Sequence, residues 1–416
     1  MNRNLILSIV SIVCWQQGLL AQNNASPYSI IGIGDIEKSS FDRTSSMGHA
    51  GMALSSNRFF YNANPASYSA LDDRFFNVEI AARYKTISYS GTPIAPTANQ
   101  SSDLQFKKLV LAIKIKPKLA AAVGILPFST ANYSFYGNKT VQGSSFTAPA
   151  YYEGTGGVNQ FFLASSYKFS THFSLGAQVS YLFGQLNQTE TIGASFSDSL
   201  LVTQRKIPIG TPSFKPGFQY NAKLNKNWQL FVGGTATFKT TINSNYHLTV
   251  TDGNTSLPNN NAEVMKFTLP AIYAGSIAAK LKDKYTVAAD YSFQNWANLN
   301  YSGLSYNLVN SNHFGIGFES AKKLYNGLFS FEKNFIQAGF FYDNSYLRIS
   351  GQQITDYGVT VGGGFNSFKN NLGVQLGAEI GRRGTTTGGL IQENYFQVNA
   401  AFSYRDFWFV KVKRFD

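Results

Sequence analysis

Several segments of the chain alternate between apolar and polar residues with a period of two. From residue 173 to residue 181 the odd positions are apolar or aromatic and the even positions are small or polar, and the pattern recurs over residues 228–238, 285–294 and 396–404. Since successive side chains of a strand point to opposite faces, each segment predicts a β-strand with one apolar face. Alternating segments of about ten residues with aromatic ends are typical of transmembrane β-barrels. A soluble β-sandwich alternates in the same way, so the pattern alone leaves both folds open.

The composition favours the barrel. Charged residues make up only 14% of the chain and aromatic residues 15%, whereas an ordinary soluble domain has about 25% charged residues. Such a surface lacks the charged coat that keeps soluble proteins apart from their neighbours. Beyond the amino terminus the sequence has no apolar run of about 18 residues, the length that a transmembrane helix needs. The sequence therefore predicts an all-β membrane protein.

The amino terminus has the pattern of a secretory signal. Arg3 precedes an apolar stretch over residues 5–13, and small residues lead to a cleavage site after Ala21. We expect residues 1–21 to be removed during export to the outer membrane of a Gram-negative cell; a buried first helix or strand is the alternative. The only cysteine, Cys14, lies in this segment. The mature chain is therefore expected to hold no disulfide and no Cys-ligated metal.

The formal net charge of +13 raises the question of an anionic partner. Lysine and arginine are scattered along the chain, and several, such as Lys118, Lys226 and Lys284, stand at predicted strand ends. A nucleic-acid-binding protein would concentrate them on one element. We therefore expect no nucleic-acid partner and a solvated basic rim that meets outer-membrane lipid and lipopolysaccharide.

Two kinds of connection separate the predicted strands. Short turns occur near residues 117–118, 170–172, 225–227, 282–284 and 369–371, and long polar loops are predicted over residues 129–157, 185–211, 243–268 and 297–310. Bacterial barrels have an even number of strands and put their short turns on the periplasmic side. The sequence thus predicts a transmembrane, 14-stranded antiparallel β-barrel over residues 76–404. Residues 405–416 are either a periplasmic tail or the end of the last strand.

The segment before the first predicted strand, residues 22–75, is predicted to be a hatch that plugs the lumen. Eight strands fill a barrel with their own side chains and 16 to 18 strands leave a water channel, so an unplugged barrel of this size would leak. The segment is apolar enough to be buried, with Ile30, Met47, Leu54 and Phe59. A disordered or separately folded periplasmic extension is the alternative.

The predicted hatch carries a family resemblance. A glycine-rich stretch with Gly48 and Gly51 leads into an aromatic segment that ends in Asn64, Pro65 and Ala66. This arrangement resembles the hatch of the long-chain fatty acid outer-membrane transporter family (FadL-type). The order departs from the family in two places, since Asn62 and Ala63 separate the aromatic from Asn-Pro-Ala and a serine follows it. Residues 123–128 resemble the family's third strand, and residues 356–364 its late glycine-rich strand.

The resemblance implies a channel for passive uptake of hydrophobic, long-chain fatty acid-like compounds, with release sideways into the membrane at an inward kink in the third strand. Gly124, Pro127 and Phe128 are the kink candidates, because proline cannot donate to a sheet ladder. Pro127 could equally end the strand where a long loop begins. Asn64, Pro65 and Ala66 are expected to form a turn that seats the hatch, or a structural turn without ligand contact.

The sequence predicts no enzyme, cofactor or metal site. The four histidines, His49, His172, His247 and His313, lie far apart without metal-ligand spacing. Neither a nucleophile elbow nor a phosphate-binding loop is present. The chain therefore fits a channel or binding protein better than a catalyst.

An alternative function is a barrel subunit of a larger outer-membrane secretion or protein-assembly complex, with no transport of its own. The basic, aromatic tail is the feature that keeps it open, with Phe407, Trp408, Phe409 and Phe415 as docking candidates. An extended peptide can add to the sheet edge of another outer-membrane or periplasmic protein. A final-strand assembly signal, or packing under the hatch, would use the same residues.

Overall fold

A closed antiparallel β-barrel forms the body of the protein. The computed structural model describes residues 26–39, 41–91, 99–140, 147–193, 200–257, 262–303, 305–326, 329–367 and 371–407. The fourteen wall strands are β2 (Phe75–Ser90), β3 (Gln100–Lys116), β4 (Leu119–Thr130), β6 (Thr147–Lys168), β7 (Phe173–Gly193), β8 (Leu200–Lys223), β9 (Trp228–Thr237), β13 (Ile272–Leu281), β14 (Tyr285–Gln294), β16 (Ser311–Asn326), β17 (Phe329–Ile349), β18 (Gln352–Asn366), β19 (Leu372–Gly384) and β20 (Gln392–Phe407). The predicted fold class is confirmed.

The first and last wall strands pair with each other and close the barrel. Their register runs from Phe75 opposite Phe407 to Ser90 opposite Gln392. The wall therefore begins one residue before the predicted boundary and ends three residues after it. Residues 405–407, predicted as a tail or as the end of the last strand, belong to strand β20. Residues 408–416 and the predicted signal segment lie outside the described residues.

The two faces of each strand follow the alternation in the sequence. On β7, Val179 and Tyr181 are more than half exposed on the outer face, while Gln178 and Ser180 are buried toward the lumen. The outward apolar side chains continue around the wall, as at Ile380 on β19. The ring of strands is closed, and apart from an interruption between β3 and β4 its backbone hydrogen bonds are made between strands, as a bilayer requires. No helix in the described part of the chain is long and apolar enough to cross a membrane.

Most of the predicted long loops are continuations of the strands. Strands β6, β7 and β8 have 22, 21 and 24 residues, whereas a tilted strand crosses a bilayer in about 9–11 residues. Shorter strands lengthen the wall at the same end: β5 (Tyr133–Thr140), β10 (Thr240–Asp252), β11 (Thr255–Leu257), β12 (Ala262–Leu269) and β15 (Tyr306–Leu308). At the end opposite the short turns, the wall is therefore longer than a bilayer crossing requires.

The described part of the amino-terminal segment, residues 26–39 and 41–74, lies inside the barrel. It contains a two-residue strand, β1 (Asp35–Ile36), and short 3-10 helices at Pro27–Ile30, Arg43–Ser46 and Pro65–Ala70. Hatch side chains such as Ile33 and Met47 are almost completely buried against the wall. At the long-strand end, Tyr28 and Ile33 join an apolar cluster of wall residues that includes Leu182 and Trp296. The hatch therefore plugs the lumen, as the sequence predicts.

Candidate functional site

The glycine-rich part of the hatch lies directly against the backbone of the wall. Gly48 has a φ of +63°, which favours glycine, and its N–H donates to Thr360 Oγ1 at 2.8 Å. A Cβ added at Gly315, Gly317 or Gly339 would overlap the backbone of Met47 or Gly48. Glycines on two neighbouring wall strands therefore permit the closest approach of hatch and barrel.

A buried carboxylate holds the next turn of the hatch. Asp290, on β14, accepts the backbone N–H groups of Gly51 and Met52, each at 2.9 Å. Ser276 donates to the same carboxylate, and its oxygen also accepts the N–H of Ala53. Hydrogen bonds to an ionised acceptor are stronger than neutral ones. The Asp290 carboxylate on the wall thus fixes the position of Gly51.

Asn64, Pro65 and Ala66 begin the last hatch helix and attach it to the wall. Asn64 is the N-cap, since its Oδ1 accepts the N–H of Ala66 at 3.0 Å, while its Nδ2 donates to the carbonyl of Phe218 at 2.9 Å. Pro65 stands at the first helical position, where its missing N–H costs nothing. A Cβ at Gly176 would overlap Pro65 and Ala66. The motif therefore lies at a seat on β7 and β8.

Ion pairs fix the hatch from several sides. Arg43 lies 2.7 Å from both Glu319 and Glu332, and its guanidinium stacks 3.9 Å above the ring of Phe335. Lys38 pairs with Asp343 at 2.9 Å and Asp356 at 2.8 Å. These bonds join the hatch to strands β16, β17 and β18.

His49 adds a further charged contact in the centre of the lumen. Its Nε2 lies 3.2 Å from Glu379 Oε2. Burial alone would lower the pKa of His49, but Glu379 and Asp343 outweigh it and raise that pKa above its usual value. The other described histidines do not join it in a ligand set: no group of three His, Cys, Asp or Glu side chains in the described ranges has an arrangement suited to a metal ion.

The third wall strand bends where the sequence contains Gly124, Pro127 and Phe128. Pairing of β4 with β3 ends at Ile125 opposite Leu109. On its other side β4 stays paired with β6, with a register shift between Pro127 and Ser129 that leaves Phe128 unpaired. The strand therefore continues past Pro127 to Thr130. A Cβ at Gly124 would overlap the Leu109 carbonyl and the Phe162 ring.

The bend leaves a break in the wall. Among the described residues, no backbone pair joins residues 100–108 of β3 to β4. Hatch strand β1 occupies part of that edge, with Asp35 opposite Thr130 and Ile36 opposite Ser129. Leu104 and Phe106 of β3 are exposed on the outer face beside the break.

Glu37 connects the two sides of the break on the luminal face. Its N–H donates to the Phe128 carbonyl at 2.9 Å, and its carboxylate lies 3.0 Å from Lys107 and 3.3 Å from Arg83. Burial raises the pKa of the Glu37 carboxyl, but Lys107 and then Arg83 outweigh burial and hold it at about 2. The carboxylate is therefore ionised at neutral pH.

Cavities remain between hatch and wall in the described part of the chain, and two of them have volumes of about 80 and 280 Å³. Both are lined largely by charged and polar groups, and the larger one reaches Leu126, Pro127 and Phe128 at the bend. The apolar cluster around Trp296 fills the lumen at the long-strand end. The described lumen is thus filled by apolar side chains at the long-strand end, and small cavities with many polar lining residues remain beside the hatch.

The docking candidates of the tail are described only in part. Phe407 ends β20, and its ring lies 4.4 Å from that of Phe75 on the paired strand. Trp408, Phe409 and Phe415 lie outside the described residues. Phe407 is therefore part of the barrel seam.

Several residues that hold the hatch carry no sequence signal. Lys107 and Lys108 both point inward, because Ala81 and Ala82 of β2 pair with Lys108 and Phe106 and leave Lys107 in a bulge. Lys108 pairs with Glu79, and both side chains are completely buried. Consecutive inward residues break the period of two, so only the register reveals them.

A closed wall with an apolar outside, a polar inside and an amino-terminal hatch defines a hatch-plugged transmembrane β-barrel. Solved structures with this architecture include a Pseudomonas aeruginosa FadL homologue (14% identity, TM-score 0.60, 88% of this chain and 98% of that chain). The Ralstonia pickettii toluene transporter TbuX is also similar (16% identity, TM-score 0.57, 88% and 97% covered), as is the Pseudomonas putida toluene transporter TodX (16%, 0.56, 91% and 99%). At this identity the likeness confirms the FadL-type fold alone.

The chain belongs to the BamG family, whose model matches residues 1–416. The sequence resemblance to the FadL-type transporters therefore identified the fold, whereas the family carries a different name. No protein with curated annotation matches the chain.

Proposed function

We propose that this chain is an outer-membrane channel for passive uptake of hydrophobic compounds of the long-chain fatty acid type, with lateral release into the membrane. The break between β3 and β4 carries the proposal. The larger cavity reaches Leu126 and Phe128 on one side of the break, and Leu104 and Phe106 lie exposed on the other. A compound displaced from the lumen would meet apolar side chains along this route. The toluene transporters TbuX and TodX share the fold.

The proposal includes the membrane and its orientation. The short turns face the periplasm and the long strands project outside, after removal of residues 1–21 as a signal. The basic residues at the strand ends meet outer-membrane lipid and lipopolysaccharide. The proposal assigns no catalytic step to the chain.

Locking the hatch tests the route. Ile36 and Ser129 are register partners across β1 and β4, so the double substitution I36C and S129C places two thiols where a disulfide can form. In proteoliposomes, oxidation of this variant should stop uptake of radiolabelled palmitate or toluene, and a reductant should restore it. A control pair on the wall, S88C and N394C, is also in register and links β2 to β20 without involving the hatch. Equal uptake by locked and unlocked protein would contradict the lateral route.

A second candidate is the barrel subunit of an outer-membrane secretion or assembly complex. It is favoured by two aromatic pairs, one on each face of the β5–β6 ribbon at the end of the wall opposite the short turns. The rings of Phe135 and Tyr152 stack at 5.4 Å, those of Tyr136 and Tyr151 lie 4.8 Å apart, and Tyr136 is 66% exposed. Exposed aromatic patches in water mark interaction sites. The many ion pairs of the hatch also fit a barrel that stays closed.

Native mass spectrometry of the protein from its own membrane separates the two candidates. A stoichiometric protein partner that is lost in the variant Y136S/Y151S, with no bound apolar molecule, would replace transport by the subunit role. A monomer that carries apolar molecules would support the channel. The control variant F402S removes an aromatic ring from the outer face of the wall. It should keep the partner, so that loss of the partner in Y136S/Y151S is not a general effect on folding.

A further inference from the structure

The larger of the two luminal cavities, of about 280 Å³, is lined by many uncharged polar residues. The hatch forms its floor, and the wall strands from β6 to β17 surround it. Serine, threonine and glutamine side chains of the wall face it, among them Gln160, Gln178, Ser213, Thr237, Ser292 and Gln294. These groups donate and accept hydrogen bonds without carrying charge.

The charged groups that line this cavity are paired with one exception. Asp35 pairs with Arg383 at 2.5 Å, Lys38 pairs with Asp343, and Glu37 pairs with Lys107 and Arg83. His313 also lies 2.6 Å from Asp343. Among the described residues, Lys215 is the lining cation that makes no ion pair within 4.0 Å. Its local charge is therefore available to a ligand.

Lys215 is held only by long hydrogen bonds to the hatch. Its Nζ donates to the carbonyl oxygens of Asn62 at 3.4 Å and Ala63 at 3.3 Å. An ammonium group has three donors and binds most strongly to an ionised oxygen acceptor. A carboxylate would therefore improve on the partners that Lys215 has.

Apolar side chains also line the same cavity. Leu126, Pro127 and Phe128 line it at the bend of β4, together with Ile36 of the hatch and the ring of Tyr346. Tyr346 is fixed there because its hydroxyl donates to the Gly34 carbonyl at 3.0 Å. A ligand with one anionic end and one apolar end matches this mixed lining.

We propose that this chamber binds a small organic carboxylate, with the carboxylate at Lys215 and the apolar part against Leu126 and Phe128. The volume equals that of about nine water molecules, so the ligand is the size of an aromatic or medium-chain acid. The inference rests on the proposed function in taking the lumen as a ligand path, and it adds selectivity for an anion over a neutral hydrocarbon.

Benzoate and benzamide are suitable probes because they have nearly the same shape and differ in charge. Equilibrium binding to the full-length mature protein in nanodiscs should show benzoate at least about tenfold tighter than benzamide, as expected for one charge-assisted contact. The substitution K215M should remove this preference, and K215R should keep most of it. Lys223, exposed on the same strand, provides the control variant K223M.

Equal affinities for benzoate and benzamide in the unsubstituted protein would overturn the inference, and this comparison needs no variant to fold. A benzoate preference that survives K215M, or that K223M removes equally, would also overturn it. Uptake of toluene into proteoliposomes reports separately on the channel: uptake without Lys215-dependent benzoate binding refutes only the chamber. Benzoate binding without uptake of any hydrophobic compound refutes only the channel.

Discussion

Lys107 Nζ on β3 lies 3.0 Å from Glu37 Oε2 of the hatch, and the N–H of the same glutamate donates to the Phe128 carbonyl on β4. One hatch residue thus joins the two wall strands whose own pairing has ended. The contact explains how a barrel with an interrupted ladder stays closed on its luminal side. It also identifies the residue whose loss should open the break.

The substitution E37Q should loosen the hatch. It leaves Lys107, almost fully buried, without its carboxylate, and breaking a buried ion pair from one side costs about 3 kcal/mol. We expect a higher ion leak in planar bilayers and faster proteolysis of the hatch. The exposed Glu153 provides the control, E153Q, which should leave both measurements unchanged. An unaltered leak in E37Q would show that Glu37 does not hold the break.

The same carboxylate predicts an acid-dependent release of the hatch. Lys107 and Arg83 outweigh the effect of burial and hold the pKa of Glu37 at about 2 in the folded state, below the ordinary value of about 4.3. Because the folded pKa is the lower one, its stabilisation is fully present above the ordinary value and is lost as pH falls through about 2. Protease protection of the hatch should therefore decrease over this range.

Other carboxylates titrate in the same range, so the variant E37Q supplies the comparison. The part of the acid dependence that belongs to Glu37 is the difference between the two protection curves. If the protection curves of E37Q and the unsubstituted protein were identical both above and below pH 4, Glu37 would not be a source of the acid dependence.

The wall glycines predict a steric test of hatch seating. A Cβ at Gly317 would overlap the carbonyl and side chain of Met47, so the substitution G317A must displace the hatch or the strand. Overpacking of this kind costs about 1–3 kcal/mol. The control is G275A, because a Cβ at Gly275 has nothing within 4 Å. In urea unfolding measured in detergent, G317A should have a lower midpoint than the unsubstituted protein, and G275A should have the same midpoint. Equal midpoints for both variants would mean that the hatch adapts without loss of stability.

The alternation of residues predicted the wall because a membrane fixes which face of every strand is apolar. It failed where that constraint ends. Strand β7 continues to Gly193 and β8 begins at Leu200, both inside the predicted loop. Polar residues there obscure the period, although Leu186, Ile207 and Ile209 still belong to the buried cluster around Trp296. The bulge at Lys107 has the same effect inside the wall, since it places two successive lysines in the lumen.

The contacts of the candidate site could not be predicted from the sequence, for a different reason. Gly317 and Met47 meet across a separation of 270 positions, and no local pattern marks a glycine that faces a distant hatch. The hatch motif itself was recognisable because Asn64 and Pro65 make a local cap, which short-range spacing records. The chamber at Lys215 depends on ion pairs among the neighbouring charged groups, and these pairs join residues that are far apart in the sequence.

The cap at Asn64 yields a final prediction. The substitution N64A removes both the bond to the Ala66 N–H and the bond to the Phe218 carbonyl, and together they contribute about 2 kcal/mol. Residues 66–70 should then exchange amide hydrogens faster, while β8 keeps its protection because its ladder is intact. The exposed Asn57 supplies the control N57A, which breaks only contacts with Asp72. Faster exchange throughout β8 as well would mean that Asn64 supports the wall itself. Unchanged exchange over residues 66–70 would mean that the close contact with Gly176 alone holds this turn.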